Sequence, residues 1–208
     1  MWVATSFSLI LIRRKVRILD RVVVFAILKQ MIKQKASQVG EPVIRKKALK
    51  VTDYFSKETK KTIRDLVDSM QYHTLVGMAA PQIGVSSRIF VTEIRETKLR
   101  KAHRADDVDN LRVFINPKVI SVSDKTVKGW EGCGSVACAG LFAKVERPKE
   151  ITIEAFDEKG EKFTLTTSGL LARVIQHEID HLNGIVFTDK ADLKTFMSRE
   201  PYLALTAR

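Results

Sequence analysis

Residues 168–184 read Ser-Gly-Leu-Leu-Ala-Arg-Val-Ile-Gln-His-Glu-Ile-Asp-His-Leu-Asn-Gly. Within them Leu170, Val174, His177 and His181 recur at spacings of four, three and four, the repeat that lays side chains along one face of an α-helix. Ser168 is a residue type that caps a helix at its start, and Asn183-Gly184 is a pair that ends one. On such a helix His177 and His181 stand one turn apart, so both imidazoles can grip one divalent cation. Glu178 beside them can move protons at a water bound there. The competing reading is two satisfied core histidines. A core histidine is usually alone, and two on one buried stripe flanking a glutamate favour ligation.

Outward from this helix, Cys133 lies in Glu-Gly-Cys-Gly-Ser (131–135), a tight-turning stretch able to bring a thiolate to the same ion. Two imidazoles, one thiolate and an open position describe a catalytic metal site, in which the ion lowers the pKa of its water to about 7. This donor set suits Zn²⁺ or Fe²⁺, and ligand type alone does not choose between them. A third block, Gly-Met-Ala-Ala-Pro-Gln (77–82), lies in the first half of the chain.

The three blocks, in this order, resemble the motifs of the peptide deformylase family, over a stretch from about residue 39 to about residue 190. The resemblance implies a metal-dependent amide hydrolase that removes the formyl group from N-formylmethionyl nascent peptides and releases formate. It implies one divalent metal per chain held by Cys133, His177 and His181, Fe²⁺ being the physiological ion, with Zn²⁺, Ni²⁺ or Co²⁺ able to take its place. It also implies Glu178 as the acid–base group, with Gln82 and the Gly134 backbone N–H as donors to the oxyanion of the intermediate. Val76, Gly77, Leu170, Val174 and Gly134 are the expected substrate-binding residues. Glu131, Asp180 and Arg147 are expected to orient a ligand or pair with one another, the alternative being surface salt bridges. Two positions depart from the family pattern: Leu75 stands where another glycine is usual, and Gly134 where leucine is common. Residues 136–146 also differ from the commonest bacterial form, and Cys138 within them is expected to be a small buried residue.

The whole chain carries a net charge of +12 over 208 residues, and +10 of this lies in residues 1–50. The near-neutral remainder weakens a general nucleic-acid-binding function; no DNA partner is expected, and the basic end leaves contact with ribosomal RNA or an anionic membrane open. Two cysteines make no secreted disulfide framework, which favours a reducing compartment. The apolar runs at 2–12 and 22–28 fall short of the roughly 20 residues of a membrane span, and no transmembrane segment is expected. Residues 1–30 therefore read as an N-terminal extension lying upstream of a natural start at Met31, as an organelle transit segment, or as an interfacial anchor. The first places the chain in the cytoplasm and the second in an organelle. Residues 31–190 form the expected catalytic domain and 191–208 a C-terminal tail.

Elsewhere a first body helix is expected over 53–72, from Ile63, Leu66, Val67 and Met70 at helical spacing. A loop is expected at 77–84, strands at 88–94 and 113–122, a mobile insertion at 95–112, and a hairpin of 150–156 with 162–166 about the turn 157–160. The fold class is α+β, with short antiparallel sheets surrounding a central helix that carries the two histidines. Two rivals remain: a zinc peptidase using the same His-Glu-x-x-His chemistry, and a silent ribosome-associated protein resting on the basic N-terminus. Cys133 and the block ending in Gln82 disfavour the first; the presence of Cys133, His177, Glu178 and His181 together disfavours the second.

Overall fold

The computed structural model describes residues 35–95 and 108–206. In chain order these form α1 (Pro42–Arg45), α2 (Lys57–Tyr72), β1 (Gly77–Ala79), β2 (Ile89–Ile94), β3 (Asp109–Val122), β4 (Thr126–Gly132), β5 (Leu141–Pro148), β6 (Glu150–Phe156), β7 (Lys162–Ser168), α3 (Gly169–Leu182), β8 (Met197–Ser198) and α4 (Arg199–Thr206), with short 3₁₀ turns between them. All strand pairings are antiparallel, in a five-stranded sheet of order β1-β2-β3-β6-β7 and a three-stranded sheet of order β4-β5-β8. The expected α+β class is the observed one.

Strand alternation explains the layering. On β2 and β3, Phe90 and Phe114 point to one face of the larger sheet, where they stack with ring centroids 4.4 Å apart. They pack there against Ala172, Ile175, Ile179 and Leu182 of α3. The intervening Ile89, Val91, Val113 and Ile115 point to the other face and meet Leu66 and Met70 of α2. Because successive strand residues face opposite ways, one sheet separates the two helices. A third cluster (Ile44, Cys133, Val136, Ala143, Val145, Val186 and Phe187) joins the smaller sheet to the chain that follows α3. Residues 191–206 also join the body: β8 pairs with the start of β5, and the Tyr202 ring stacks on Phe142 with centroids 4.0 Å apart.

Several boundaries differ from expectation. The first body helix begins at Lys57, not residue 53, because Ser56 Oγ accepts from Thr59 N at 3.0 Å and caps it there, while Asp53 holds a separate turn by accepting from Phe55 N. The loop expected at 77–84 is strand β1 followed by a 3₁₀ turn, Ala80–Ile83. A three-residue strand is too short to show a period. In the stretch expected as an insertion, residues 109–112 already belong to β3, and residues 96–107 lie outside the described residues, as does the N-terminal extension 1–30. Within the strand expected over 113–122 stands Asn116. It sits at a bulge in β3 with φ +51°, and its side chain bonds both the N–H and the carbonyl of Val51.

Ser168 does occupy the N-cap of α3, yet its side chain makes no capping bond. The other end of α3 terminates as expected. Gly184 has φ +74°, its N–H reaches His181 O at 3.1 Å, and Ile185 N reaches Asp180 O at 2.9 Å, the paired bonds of a Schellman cap. A Cβ on Gly184 would overlap the Arg45 carbonyl, so this turn also fixes α1 against the end of the helix.

Candidate active site

Three elements bring the chemistry together. Helix α3 carries His177, Glu178 and His181, with Ile175 and Ile179 packed into the core cluster of the larger sheet and Glu178 against its edge strand β1. Cys133 follows the last residue of β4, where Gly132 lies opposite Phe142; a Cβ at Gly132 would strike that ring. Gln82 sits in the 3₁₀ turn after β1. The ligand atoms of Cys133, His177 and His181 all lie within 4.8 Å of one another, and Cys133 Sγ is 3.1 Å from His181 Nε2. Cys133 and His181 are buried and His177 is nearly so.

Gln82 is fully enclosed and locked in orientation. Its Oε1 accepts from Ala79 N at 2.8 Å, so its amide nitrogen faces the site, 3.6 Å from Cys133 Sγ and 3.4 Å from Ser135 Oγ. Glu178 is buried beside Gly77. A Cβ built on Gly77 would come within 2.5 Å of Glu178 Oε1 and 2.7 Å of Val174. Gly77 is thus the residue that lets β1 lie against the Glu178 carboxylate. Among the described residues Glu178 Oε2 has no hydrogen-bond partner, an unusual state for a buried carboxylate oxygen and one suited to a group that handles a proton on a small ligand.

A charged network lies behind the ligands. Glu131 Oε2 accepts from His177 Nδ1 at 2.9 Å, which leaves Nε2 as the lone-pair nitrogen of that ring. Arg147 holds Glu131 through two bonds of 2.6 and 2.8 Å and Asp180 through one of 2.8 Å. Arg147 and Glu131 are each about 4% exposed and Asp180 about 9%, so these are interior pairs and not surface bridges. Two cations were not anticipated. Arg173 donates to Glu131 and to the carbonyls of Val127 and Val145, and Lys190 reaches Asp180. Arg173 precedes His177 by one helical turn, and Gly129 of β4 makes room for its guanidinium; a glycine inside a strand facing a helical arginine was the available signal.

Burial opposes a charge on Glu131, but Arg147 and His177 outweigh it and hold its carboxyl well below the usual range. Burial likewise resists a thiolate at Cys133, and the nearby His181 and His177 overcome it, so the thiol titrates far below its ordinary value. His177 is pushed the other way: burial lowers it, while Cys133 and Glu131 raise it well above the normal imidazole range. At Glu178 burial outweighs the opposing pull of His177 and His181 and pushes the carboxyl up to about 7. A low-lying thiolate, two imidazoles and an adjacent carboxylate near neutrality fit a divalent ion of intermediate softness.

The expected pocket residues are more spread out. Val76, half-buried, accepts from Glu93 N through its carbonyl, and Val174 lies against Gly77. Leu170 stands two turns before His177 and lines a groove of about 460 Å³ with Ile94, Leu165 and Leu171. Gly134 is buried, and a Cβ there would sit 3.1 Å from Leu75 Cδ1. The two departures from the family pattern therefore touch: the larger residue at 75 fills space beside the bare position at 134. Cys138 is exposed, contrary to expectation, because Ala137, Cys138 and Ala139 all take positive φ and turn the chain outward.

Known proteins resemble this chain in sequence and in fold. The sequence model of the family described as polypeptide deformylase matches residues 33–196. The chain is 37% identical over 152 residues to a peptide deformylase of Natranaerobius thermophilus, covering 73% of this chain and 88% of that one. It is 37% identical over 158 residues to a peptide deformylase of Carboxydothermus hydrogenoformans, covering 76% and 93%. Its fold resembles the crystal structure of peptide deformylase from Thermotoga maritima, with a TM-score of 0.66 and 32% identity, covering 77% of this chain and 98% of that one.

Proposed function

This chain belongs to the polypeptide deformylase family and removes the formyl group from the N-terminal formylmethionine of new polypeptides; from that premise we propose which residues carry the reaction. The family is metal-dependent, and Cys133, His177 and His181 are the proposed ligands, supported by their mutual approach within 4.8 Å. Fe²⁺ is the proposed physiological ion, with Zn²⁺, Ni²⁺ or Co²⁺ as substitutes. When bound, the ion supplies Lewis-acid activation of water and of the formyl carbonyl.

The remaining work falls to the protein. Glu178 takes a proton from the attacking water and gives it to the amine as the C–N bond breaks, leaving formate and a free methionyl amine. Such transfer is typically worth about 10²–10⁴-fold in rate. A carboxyl at about 7 suits both halves of the task, since it accepts and returns a proton near neutral pH. As charge develops on the formyl oxygen, the amide of Gln82 and the N–H of Gly134 stabilise it, each donor being worth roughly 10²–10³-fold. Gln82 is held for this by its bond from Ala79 N, so no reorientation is needed at the moment of reaction. Glu131, with Arg147 and Asp180 behind it, orients the His177 ring. Val76, Gly77, Val174 and Leu170 receive the methionine, and the groove beside Leu170 is of mixed lining, with Asp109, Arg112 and Thr167 as well as Ile94 and Leu165.

The observation that carries this assignment is the unpartnered Glu178 carboxylate oxygen beside the Cys-His-His cluster. It is tested by formate release from a short formyl-Met peptide, using protein purified without oxygen. Glu178→Gln is expected to keep one equivalent of metal and the parent melting temperature while turnover falls at least about 10²-fold; undiminished turnover in that variant removes Glu178 from the mechanism. Residues 31–190 are the proposed catalytic domain, and the proposed setting is the cytoplasm, with ribosome association through the basic N-terminal quarter. No helix among the described residues is long and apolar enough to cross a membrane.

A further inference from the structure

The turn that carries Cys133 and Gly134 is gripped from outside by residues 36–39, which precede all three motifs. Ser37 N donates to Gln82 O and Val39 N to Ser135 O, each at 2.8 Å, so one short segment is tied to both loops that line the metal cluster. Between these anchors lies Gln38. Its Nε2 donates to Gly134 O at 2.9 Å and to Ala36 O at 2.8 Å, and its Oε1 accepts from Cys138 N at 3.1 Å. Both amide hydrogens are used, and the carboxamide spans the turn from residue 134 to residue 138.

The peptide unit joining Gly134 to Ser135 is thereby held at both ends. Gln38 bonds its carbonyl, and its N–H points at Cys133 Sγ over 3.4 Å. A bond to a peptide carbonyl polarises the unit and strengthens its N–H as a donor. This turn has particular need of support. Glycine at 134 brings the greatest backbone freedom, and Ala137, Cys138 and Ala139 hold φ of +47°, +52° and +60°, a region that residues with a Cβ avoid. Such a run persists only when its surroundings over-determine it.

We propose that Gln38 is a positioning residue for the deformylation reaction: its carboxamide fixes the Gly134–Ser135 peptide, and through it the Cys133 sulfur and the Gly134 N–H, relative to Gln82. The inference rests on the assignment of Cys133 as a ligand and Gly134 as a donor. Gln38→Met keeps length and bulk while removing all three bonds. In the full chain loaded with Zn²⁺, this variant is expected to lose zinc to excess chelator about 10–100-fold faster than the parent, as when an outer partner of a metal ligand is removed. In formate release its kcat should fall about tenfold with KM within about twofold. If Gln38→Met does not fold, Gln38→Glu, which keeps the acceptor for Cys138 N, carries the same expectations.

Unchanged zinc loss and kcat overturn the proposal. So does a fall in both that merely follows the unfolded fraction seen in thermal melts, since that marks a purely structural role. Cys133→Ser run alongside separates the two layers of argument. Tight zinc retention in Cys133→Ser overturns the ligand assignment and the proposal with it. Fast zinc loss from Cys133→Ser beside parental behaviour in Gln38→Met overturns the role of Gln38 alone.

Discussion

Gly77 shows how much can rest on one missing methyl group. A Cβ there would come within 2.5 Å of Glu178 Oε1 and 2.7 Å of Val174, both on a buried helix that cannot retreat without moving the histidines. Gly77→Ala is therefore expected to retain metal but lose about 10²-fold in kcat/KM through misplacement of the carboxylate; elemental analysis and formate release check the two halves. Glu178 yields a second expectation, for the metal-free protein. Burial raises its folded-state pKa from 4.5 to about 7, so the native state binds the proton more tightly than the unfolded chain. Stability is then lost as pH rises through that window, and above about pH 7 the full penalty applies, about 3 kcal/mol. Metal-free Glu178→Gln should accordingly melt above metal-free parent at about pH 8, with the gap narrowing toward about pH 5; equal melting curves at both would remove the penalty. At this scale the candidate site residues were legible because His177, Glu178 and His181 are related by helical spacing and Cys133 and Gln82 sit in compact motifs. Gln38 and Arg173 were not, since their partners are distant in sequence: 96 residues separate Gln38 from Gly134. Cys138 was misjudged because a run of positive φ in non-glycine residues leaves no compositional trace.

Among the elements, α3 was the most legible, since one helix must be apolar toward the larger sheet and also carry the candidate ligands, which imposes a strong period on the sequence. The hairpin of β6 and β7 was legible for a different reason: the turn at 157–160 ends in Gly160 with φ +75°, and both strands alternate. Strands β4 and β5 escaped notice. β4 reads Thr-Val-Lys-Gly-Trp-Glu-Gly, where glycine 129 is small to admit Arg173 and Glu131 points inward as a charge, so the polar–apolar alternation is broken by the requirements of the site. The Glu131–Arg147–Asp180 network helps hold β4 and β5 to α3, beside the bonds of Arg173 and Gln176 to strand carbonyls. Removing the cation leaves Glu131 with Arg173 and Asp180 with Lys190, so the loss should not exceed the roughly 3–5 kcal/mol typical of a broken buried pair. Arg147→Met is expected to lower the unfolding free energy by up to that amount and to loosen metal binding, because Glu131 then loses one of the partners that fix it against His177. A chemical denaturation series on metal-loaded protein measures this; a loss under about 1 kcal/mol would place the network among pairs whose replacement by an apolar side chain is nearly neutral.

Over the whole chain, composition separates a basic N-terminal quarter from a nearly neutral body, and the family match begins at residue 33. We take the catalytic body to start close to that point, since Ser37, Gln38 and Val39 are bonded to Gln82, Gly134 and Ser135. Two truncations follow from this. A chain beginning at Met31 keeps every one of those bonds, and its kcat/KM for formyl-Met peptides should lie within about twofold of the full chain. A chain beginning at Gly40 loses the bonds that tie the Cys133 turn to Gln82, and should lose most of its turnover and hold metal about 10–100-fold more weakly. The comparison discriminates because the two truncated chains differ only in residues 31–39, none of which is a proposed ligand or acid–base group. If the chain starting at Met31 is also inactive, residues 1–30 contribute to catalysis and the proposed domain boundary is wrong. If the chain starting at Gly40 is fully active, the turn holds its shape without residues 36–39 and the strain in 137–139 is contained locally. Residues 1–30 carry six cations and one anion, so cosedimentation of the full chain and the Met31 chain with ribosomes tests their electrostatic role separately: binding that disappears with the truncation and weakens with salt assigns them a docking function independent of catalysis.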